Sequence, residues 1–344
     1  MLAEFIRRMP KVELHVHLEG AVRPETLLRL AQQHGIALPA ATVEGLAEWY
    51  QFTNFPHFVE IYLLLSKCIR TADDIELVAR EFLVGQAAQN IRYTEATYTP
   101  YTHYIQKGLT FDEQLAALNR ARDWGMQRVG VQVNWIMDIA RQVDAAAGRV
   151  VAEWAITGMG RGVVALGLGG YEVGNPPEKF ADAFALAAAA GLPSVPHAGE
   201  TAGAASIRGA LQVLNAVRIG HGVRCLEDPA LVAELRRRQI PLEVCPTSNV
   251  CLGVAADMAS HPLPLLLAED LYITINSDDP PLFNTTLTDE YIRIAEAFNF
   301  TEDDMERFVL NAARVALLPD REREQLIAAV VQEFQQLRAD TLVA

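Results

Sequence analysis

Short runs of β-forming residues alternate with longer stretches of helical periodicity along the whole chain. Between most of these runs, as in residues 75–83 and 182–190, apolar residues recur at helical spacing. Eight alternations of this kind favour a closed TIM (β/α)8 barrel of the α/β class over an open sheet. The predicted strands are Val12–His17, Arg92–Thr97, Val129–Met137, Val163–Gly169, Pro193–His197, Arg218–His221, Leu242–Cys245 and Tyr272–Asn276.

Two segments of the sequence are additional to the eight strand–helix units of a minimal barrel. The long segment between the first two predicted strands predicts extra helices around Pro24–His34 and Pro56–Arg70. The tail from Thr301 onward predicts helices packed outside the barrel, because Thr301 and the acidic residues that follow it make a favourable helix start. No repeat or linker divides the sequence, so we expect one domain over residues 1–344.

The charge balance excludes some classes of partner. Asp and Glu total 43 against 29 Lys and Arg, which gives a net charge of −14. Such a protein repels phosphate, so we expect neither nucleic acid nor an anionic membrane as a partner. The four cysteines show no Cys-x-x-Cys spacing, and the first residues do not form a secretory signal. We therefore expect a cytoplasmic protein with reduced thiols, and the sequence leaves its oligomeric state open.

Four of the eight histidines fall at the ends of predicted strands, and these are His15, His17, His197 and His221. In a TIM barrel the carboxyl ends of the strands carry the active site. His15 and His17 lie two apart on one strand, so their side chains point the same way. Neutral imidazoles on one face suit a divalent ion such as zinc. Taken singly, each histidine is also compatible with a structural role, bonded to a nearby backbone group.

Acidic residues occur in the same places. Glu200 follows His197 closely enough to act beside a metal without binding it, and Asp278 and Asp279 end the last predicted strand. Adjacent carboxylates are costly unless a cation or a proton lies between them, although a solvated turn would also accommodate them. The joint order of histidines and acids along the strands favours a metal centre over these separate explanations.

Five segments together resemble the adenosine deaminase branch of the amidohydrolase superfamily. The resemblance implies a hydrolase of a C–N bond in a cyclic amidine, which removes ammonia from the purine ring of an adenosine-like substrate. The segments span nearly the whole chain in the family's order. They are Glu13-Leu-His-Val-His-Leu-Glu-Gly20, His197-Ala-Gly-Glu200, Arg218-Ile-Gly-His-Gly222, Glu243-Val-Cys-Pro-Thr-Ser-Asn249 and Asn276-Ser-Asp-Asp-Pro280.

The resemblance also implies roles for single residues. Glu200 would give a proton to purine N1 while water attacks C6. His221 and Asp279 would orient that water and help to remove its proton. Gly170 matches the glycine whose backbone N–H bonds to purine N3. One Zn²⁺ per chain would be held by four ligands, namely His15, His17, His197 and Asp278.

Other functional classes remain open at this point. A metal-dependent phosphoesterase generally needs several ions and nearby basic residues, yet segments 15–20, 197–200 and 277–280 contain no Lys or Arg. Residues 163–171 also lack the lysine that commonly bridges two metals in amidohydrolases, which favours one zinc. A purine-binding protein without catalysis would not need every metal and catalytic position, and all seven are present.

The substrate is less constrained, because the chain departs from the adenosine enzymes in three places. Glu19 replaces an Asp that helps to hold the ribose 5′-hydroxyl, Gly169-Gly-Tyr-Glu172 replaces Ala-Gly-Asp-Glu, and Thr97 replaces an Arg. The main prediction is deamination of adenosine or 2′-deoxyadenosine to the inosine nucleosides. The alternative is 6-aminodeoxyfutalosine, an adenosine-like precursor in menaquinone biosynthesis, and adenine comes third.

Aromatic and polar residues near the predicted site are candidates for contact with the substrate. Phe58 and Tyr62, four apart on a predicted helix, match positions that wall the ribose end of the family's pocket, although such a pair also suits a core. The loop after the second strand is predicted to meet a larger 5′ group, such as an aryl carboxylate, or else to be a packed aromatic loop. The candidates are His17, Glu19, Phe58, Tyr62, Tyr98, Tyr101, His103 and Gly170.

Overall fold

A computed structural model of the chain describes residues 2–52 and 55–343. Eight parallel strands pair in chain order around a nearly closed barrel, which confirms the predicted TIM fold. The strands are β1 Lys11–His17, β2 Ile91–Tyr98, β3 Gln132–Ala140, β4 Val163–Gly169, β5 Ser194–Ala198, β6 Ile219–His221, β7 Leu242–Val244 and β8 Ile273–Ile275.

Helices surround this barrel and extend it at both predicted places. The helices in the described residues are α1 Leu2–Arg8, α2 Pro24–His34, α3 Val43–Tyr50, α4 Phe55–Cys68, α5 Ala72–Ala88, α6 Pro100–Lys107, α7 Phe111–Arg128, α8 Ala145–Thr157, α9 Ala181–Ala189, α10 Ala204–Gln212, α11 Pro229–Arg238, α12 Pro246–Cys251, α13 Leu263–Ala268, α14 Leu287–Phe298, α15 Glu302–Val315 and α16 Asp320–Val343. Between β1 and β2 lie α2 and α4, as predicted, together with α3 and α5. None of the helices in residues 2–52 and 55–343 is long and apolar enough to cross a membrane.

The third strand differs from its prediction in a way that bears on the site. The sequence pattern placed it at 129–137, but β3 runs from Gln132 to Ala140. Val129 instead caps α7, and Gly130 takes a left-handed backbone conformation with φ of +72° before the strand begins. The shift adds three residues at the carboxyl end of β3. Asp138 consequently lies on a strand at the mouth of the barrel.

The C-terminal helices pack against the barrel as expected. Thr301 caps α15 and forms a reciprocal capping box with Asp304. Helix α15 contacts β8, β1 and α16, and its Phe308 is fully buried. In α16, Phe334 packs against Phe5 of α1, with 6.0 Å between the ring centroids. The two ends of the chain thus cover the outside of the barrel near β1.

The barrel closes between β8 and β1 without a regular ladder. The side-chain oxygen of Asn276 accepts hydrogen bonds from the backbone N–H groups of Leu14 and His15, at 2.9 and 3.1 Å. Two residues further along the chain, the carbonyl of Asp278 accepts a hydrogen bond from the N–H of His17 at 2.9 Å. The N–H of Asp278 donates to the carbonyl of His15 at 3.1 Å. A side-chain amide and one isolated bridge therefore complete the sheet.

We expect Asn276→Ala to destabilise the fold by about 2–4 kcal/mol, because it leaves two buried backbone N–H groups without an acceptor. Urea unfolding followed by circular dichroism measures this cost. The control is Asn175→Ala, which removes only an exposed bond to the carbonyl of Tyr171 and should change stability by less than 1 kcal/mol. Equal stability of the two variants would show that the amide does not close the barrel.

Candidate active site

Four side chains from three strand ends converge on one point at the mouth of the barrel. His15 and His17 end β1, His197 lies in β5, and Asp278 follows β8; one donor atom from each lies within 4.8 Å of the others. The Nε2 atoms of His17 and His197 face each other at 3.0 Å, and Asp278 Oδ1 lies 3.3 Å from His17 Nε2. Facing imidazole nitrogens need a proton or a cation between them. Three imidazoles and one carboxylate, all buried, form a donor set that fits zinc.

A buried chain of charges fixes the orientation of His15. Its Nδ1–H donates to Glu243 Oε2 at 2.8 Å, so its Nε2 is left for the metal. Glu243 Oε1 accepts from Arg218 at 2.6 Å, and Arg218 also donates to Glu95 at 2.5 Å. Burial opposes ionisation of Glu243, but the Arg218 guanidinium holds the pKa of this carboxyl below its usual value. These buried charged side chains therefore keep His15 in one tautomer and one orientation.

The segment after β7 supports the other side of the centre. Ser248 donates to Asp278 Oδ2 at 2.7 Å, which leaves Oδ1 facing the histidines. Two functional residues take left-handed backbone angles that are unusual for non-glycine residues: φ is +64° at Asp278 and +62° at His221. Strain of this kind persists where surrounding contacts over-determine the backbone, and here it turns both side chains toward the same point.

A series of hydrogen bonds on the Nδ1 side of His221 determines which of its ring nitrogens carries the proton. The N–H of Leu263 donates to His261 Nδ1 at 3.1 Å, so neutral His261 carries its proton on Nε2 and donates to Asn249 Oδ1 at 3.1 Å. The Asn249 amide then donates to His221 Nδ1 at 3.3 Å. Burial lowers the pKa of His221 to about 4. Neutral His221 therefore presents Nε2–H to the centre, 3.7 Å from Glu200 and 3.8 Å from Asp278.

Glu200 lies on a loop that a second carboxylate holds in place. Glu172, just after β4, accepts hydrogen bonds from the consecutive backbone N–H groups of residues 199, 200, 201 and 202, at 2.7 to 3.1 Å. Burial, together with the negative charges of Asp278 and Glu172, raises the pKa of Glu200 to about 8. A carboxyl of this kind stays protonated at neutral pH and can act as an acid.

Asp279 provides a free acceptor next to the centre. Its Oδ1 is buried and has no hydrogen-bond partner among the described residues. Burial and the neighbouring charge of Asp278 raise the pKa of Asp279 to about 7. Gly20 makes room for this carboxylate, because a Cβ at that position would lie 1.6 Å from Asp279 Oδ1. Gly20, which ends the segment 13–20, is thus required sterically by Asp279 in the segment 276–280.

The site opens into one cavity of about 470 Å³. Three of the four metal-centre residues line its floor together with Glu200, His221 and Asp279, whereas His15 lies beneath the lining, and Gly170 lies on one side. Phe58 and Tyr62 of α4 and Tyr101 of α6 form the walls, where the sequence predicted contact with a substrate. Leu63 and Ile105 lie at the same walls, yet 54% of Leu63 and 61% of Ile105 are exposed. The cavity therefore continues from a polar floor into an apolar arm between α4 and α6.

Three other predicted contact residues lie behind the wall rather than on it. Tyr98 is buried, donates to Gln114 at 2.8 Å and stacks on His103 with 5.3 Å between the ring centroids. His103 Nε2 lies 3.3 Å from Glu19 Oε1, which also accepts from the N–H of Thr99 at 2.9 Å. None of these three residues lines the cavity, and each has a partner in the layer that supports α6. Two of their atoms, Glu19 Oε2 and His103 Nδ1, are buried without a hydrogen-bond partner among the described residues. Their predicted contact with a substrate stays a prediction.

The structure adds residues that sequence reasoning missed. Asp138 lines the cavity from the end of β3, and Gln142 lines it just beyond. Arg141 is fully buried and donates to the carbonyls of Asn175 and His197, the latter at 2.7 Å. The available signal was the polar cluster Asp138 to Gln142 directly after an apolar run. It was overlooked because the strand was predicted to end at residue 137.

Comparisons with known proteins agree with this geometry. A family model described as adenosine deaminase matches residues 10–333. An adenine deaminase from Chlorobium phaeobacteroides (strain BS1) is 35% identical over 328 residues, 95% of this chain and 97% of that protein. An aminodeoxyfutalosine deaminase from Streptomyces avermitilis is 36% identical over 335 residues, 97% of this chain and 93% of that protein.

A solved structure extends the likeness to three dimensions. The crystal structure of an amidohydrolase from Burkholderia ambifaria with bound Zn has a TM-score of 0.90 and 28% sequence identity to this chain. The match covers 99% of this chain and 94% of that one. The similarity therefore extends over the whole barrel with its added helices, and not only over the motifs.

We expect Glu172→Gln to lower kcat by about ten- to a hundred-fold, because an amide NH₂ would face backbone N–H donors and displace the loop that carries Glu200. Steady-state kinetics test this, with zinc content by mass spectrometry expected to stay unchanged. Glu178→Gln, an exposed neighbour, is the matched control. Loss of zinc in parallel with activity would contradict a role confined to the loop.

Proposed function

The chain belongs to the adenosine deaminase family, and on that basis we propose that it is a zinc-dependent deaminase of 6-aminopurines that carry a substituent on N9. Family members are hydrolases of C–N bonds in cyclic amidines and depend on a metal. The observation that carries the proposal is the convergence of three imidazoles and one carboxylate at the mouth of the barrel, beside a cavity that Glu200 also lines. We propose one zinc ion per chain, held by His15, His17, His197 and Asp278.

The chain's own residues divide the proton transfers among them. Zinc, when bound, would supply Lewis-acid activation of water near neutral pH. His221 would orient the attacking water by donating from Nε2–H. The Asp279 carboxylate would take the proton of this water and return it to the amino group at C6, which leaves as ammonia when the C–N bond breaks. Glu200, whose pKa burial raises to about 8, donates a proton to purine N1 and so reduces the cost of breaking ring aromaticity. The backbone N–H of Gly170 holds N3 and fixes the ring between these groups.

The apolar arm supports a substrate larger than adenosine. The two relatives described above are named for adenine and aminodeoxyfutalosine, and neither is named for adenosine, which the sequence placed first. A bare purine would leave the arm between α4 and α6 empty. The exposed side chains of Leu63 and Ile105 offer apolar surface for an aryl group at the 5′ end. We therefore place 6-aminodeoxyfutalosine ahead of adenosine and adenine.

We expect the zinc-loaded enzyme to deaminate 6-aminodeoxyfutalosine with a kcat/KM at least ten-fold above its values for adenosine and adenine, because only that substrate fills the apolar arm. Ultraviolet absorbance at matched concentrations measures all three. Leu63→Ala should lower kcat/KM for 6-aminodeoxyfutalosine alone, whereas Leu265→Ala, which removes an equally exposed leucine on α13, should change nothing. A preference for adenosine or adenine would contradict this assignment of substrate.

We expect Glu200→Gln to retain zinc and fold but to lose at least a thousand-fold in kcat, because N1 then has no proton donor. Single-turnover kinetics and zinc analysis separate these effects. Glu227→Gln, on a nearby exposed carboxylate, serves as the control. Near-normal turnover by the Glu200 variant would remove this residue from the chemistry.

A further inference from the structure

One carboxylate on the floor of the cavity has no part in the roles assigned so far. Asp138 is only 3% exposed and lies near the end of β3. Its Oδ1 is buried without a hydrogen-bond partner in the described part of the chain. Burying an unpaired carboxylate is costly, so such a group is retained where a ligand supplies the missing donor.

The neighbouring strand leaves space for this carboxylate. Asp138 pairs with Gly167 of β4, where a Cβ would lie 2.7 Å from Asp138 Oδ1. At Gly169 a Cβ would lie 2.8 Å from Asp138 Oδ2 and 3.4 Å from the ring of His197. Both glycines lack the side chain that would otherwise press on Asp138. Oδ2 therefore lies beside Gly169 on the lining of the cavity, whereas Oδ1 lies beside Gly167, which does not line it. Oδ2 is the oxygen that a molecule bound in the cavity can reach.

A nearby cation does not neutralise Asp138 through hydrogen bonds. Arg141 is buried three residues further along the chain, but its guanidinium donates to the carbonyls of Asn175 and His197. Glu19 differs in its position. Its Oε1 accepts from Thr99, and its Oε2 is also buried without a hydrogen-bond partner among the described residues, but Glu19 does not line the cavity. Of the two carboxylates, Asp138 is the one placed to receive a donor from a bound molecule.

The order of the strands indicates which part of the substrate reaches Asp138. In the proposed complex, N1 meets Glu200 after β5 and N3 meets Gly170 after β4. The next strand around the barrel is β3. The atoms beyond N3 on the purine are N9 and the sugar attached to it, and these atoms therefore face β3.

The geometry points to Asp138 as a substrate-binding residue that accepts a hydrogen bond from a ribose 2′- or 3′-hydroxyl of the nucleoside. This inference rests on the proposed function, since it presupposes an N9-substituted 6-aminopurine. A sugar hydroxyl supplies a neutral donor, and bonds to a charged acceptor are stronger than those between neutral groups. This contact would be distinct from the one with the ribose 5′-hydroxyl that the family resemblance implies for the position of Glu19.

The test compares Asp138→Ala and Asp138→Asn with wild type on adenine, adenosine, 2′-deoxyadenosine and 3′-deoxyadenosine. We expect Asp138→Ala to lower kcat/KM for adenosine by about ten- to a hundred-fold, mainly through KM, with a smaller loss for the asparagine variant. Adenine should be unaffected. The deoxynucleoside that lacks the partner hydroxyl should lose little further, as in a double-mutant cycle.

Controls separate binding from folding. Removal of an unpaired buried carboxylate should leave the thermal midpoint equal to or above that of wild type, with zinc content unchanged. Asp123→Ala, on an exposed face of α7, is the matched variant and should behave as wild type. If the alanine variant fails to fold, the asparagine variant, which keeps the side-chain shape, decides the result.

Other outcomes overturn the inference in distinguishable ways. An equal loss on adenine and on every nucleoside would show that Asp138 acts through the metal centre. A loss confined to adenine would assign it to the N9–H of the free base. If the Asp138 variants deaminate adenosine as fast as wild type does, the inference is overturned and the proposed function stays intact. If the wild-type enzyme deaminates adenine but none of the nucleosides, both are overturned.

Discussion

The closure of the barrel between β8 and β1 is the constraint on which the rest of the structure depends. Asp278 bonds through its backbone to His15 and His17, and its side chain completes their donor set. Asp278 thus makes both the backbone hydrogen bonds that close the sheet and the side-chain contact that would hold the metal. Asn276 secures the same junction from two positions earlier. The backbone that positions the proposed metal ligands is therefore part of the hydrogen bonding that closes the barrel.

The support of the site and the walls of the cavity differ in burial and polarity. Arg218 lies between Glu95 and Glu243, so each of these three buried charges has a partner. Without a partner, a buried charge of this kind would destabilise the fold. The cavity walls on α4 and α6 are less buried and more apolar. In the proposed complex, the polar floor meets the purine and its sugar, and the apolar walls meet a group at the 5′ end.

The sequence predicted the barrel and the convergence of the histidines because both depend on local patterns: apolar runs, and polar residues where those runs end. It did not predict that Glu172 holds the loop of Glu200, since four backbone donors leave no trace in side-chain identity. Asp138 was missed because Gly130 delays the start of β3 and extends its end. For Tyr98 and His103 the sequence left open substrate contact or a packed aromatic loop, because a motif gives the position of a side chain but not the direction in which it points; neither residue lines the cavity.

The charge of the floor narrows the class of substrate further. Asp138, Glu200 and Asp279 all line the cavity, and no Lys or Arg lies among the residues that line it. Glu200 is protonated at neutral pH, and burial raises the pKa of Asp138 and of Asp279 to about 7. In their ionised form these two aspartates attract a cation and accept hydrogen bonds from neutral donors, but they repel a phosphate group. A nucleotide is disfavoured there, whereas a sugar hydroxyl supplies the donor that Asp138 lacks. A substrate with its own carboxylate must therefore hold that group at the far end of the arm, in water, with its aryl ring between Leu63 and Ile105.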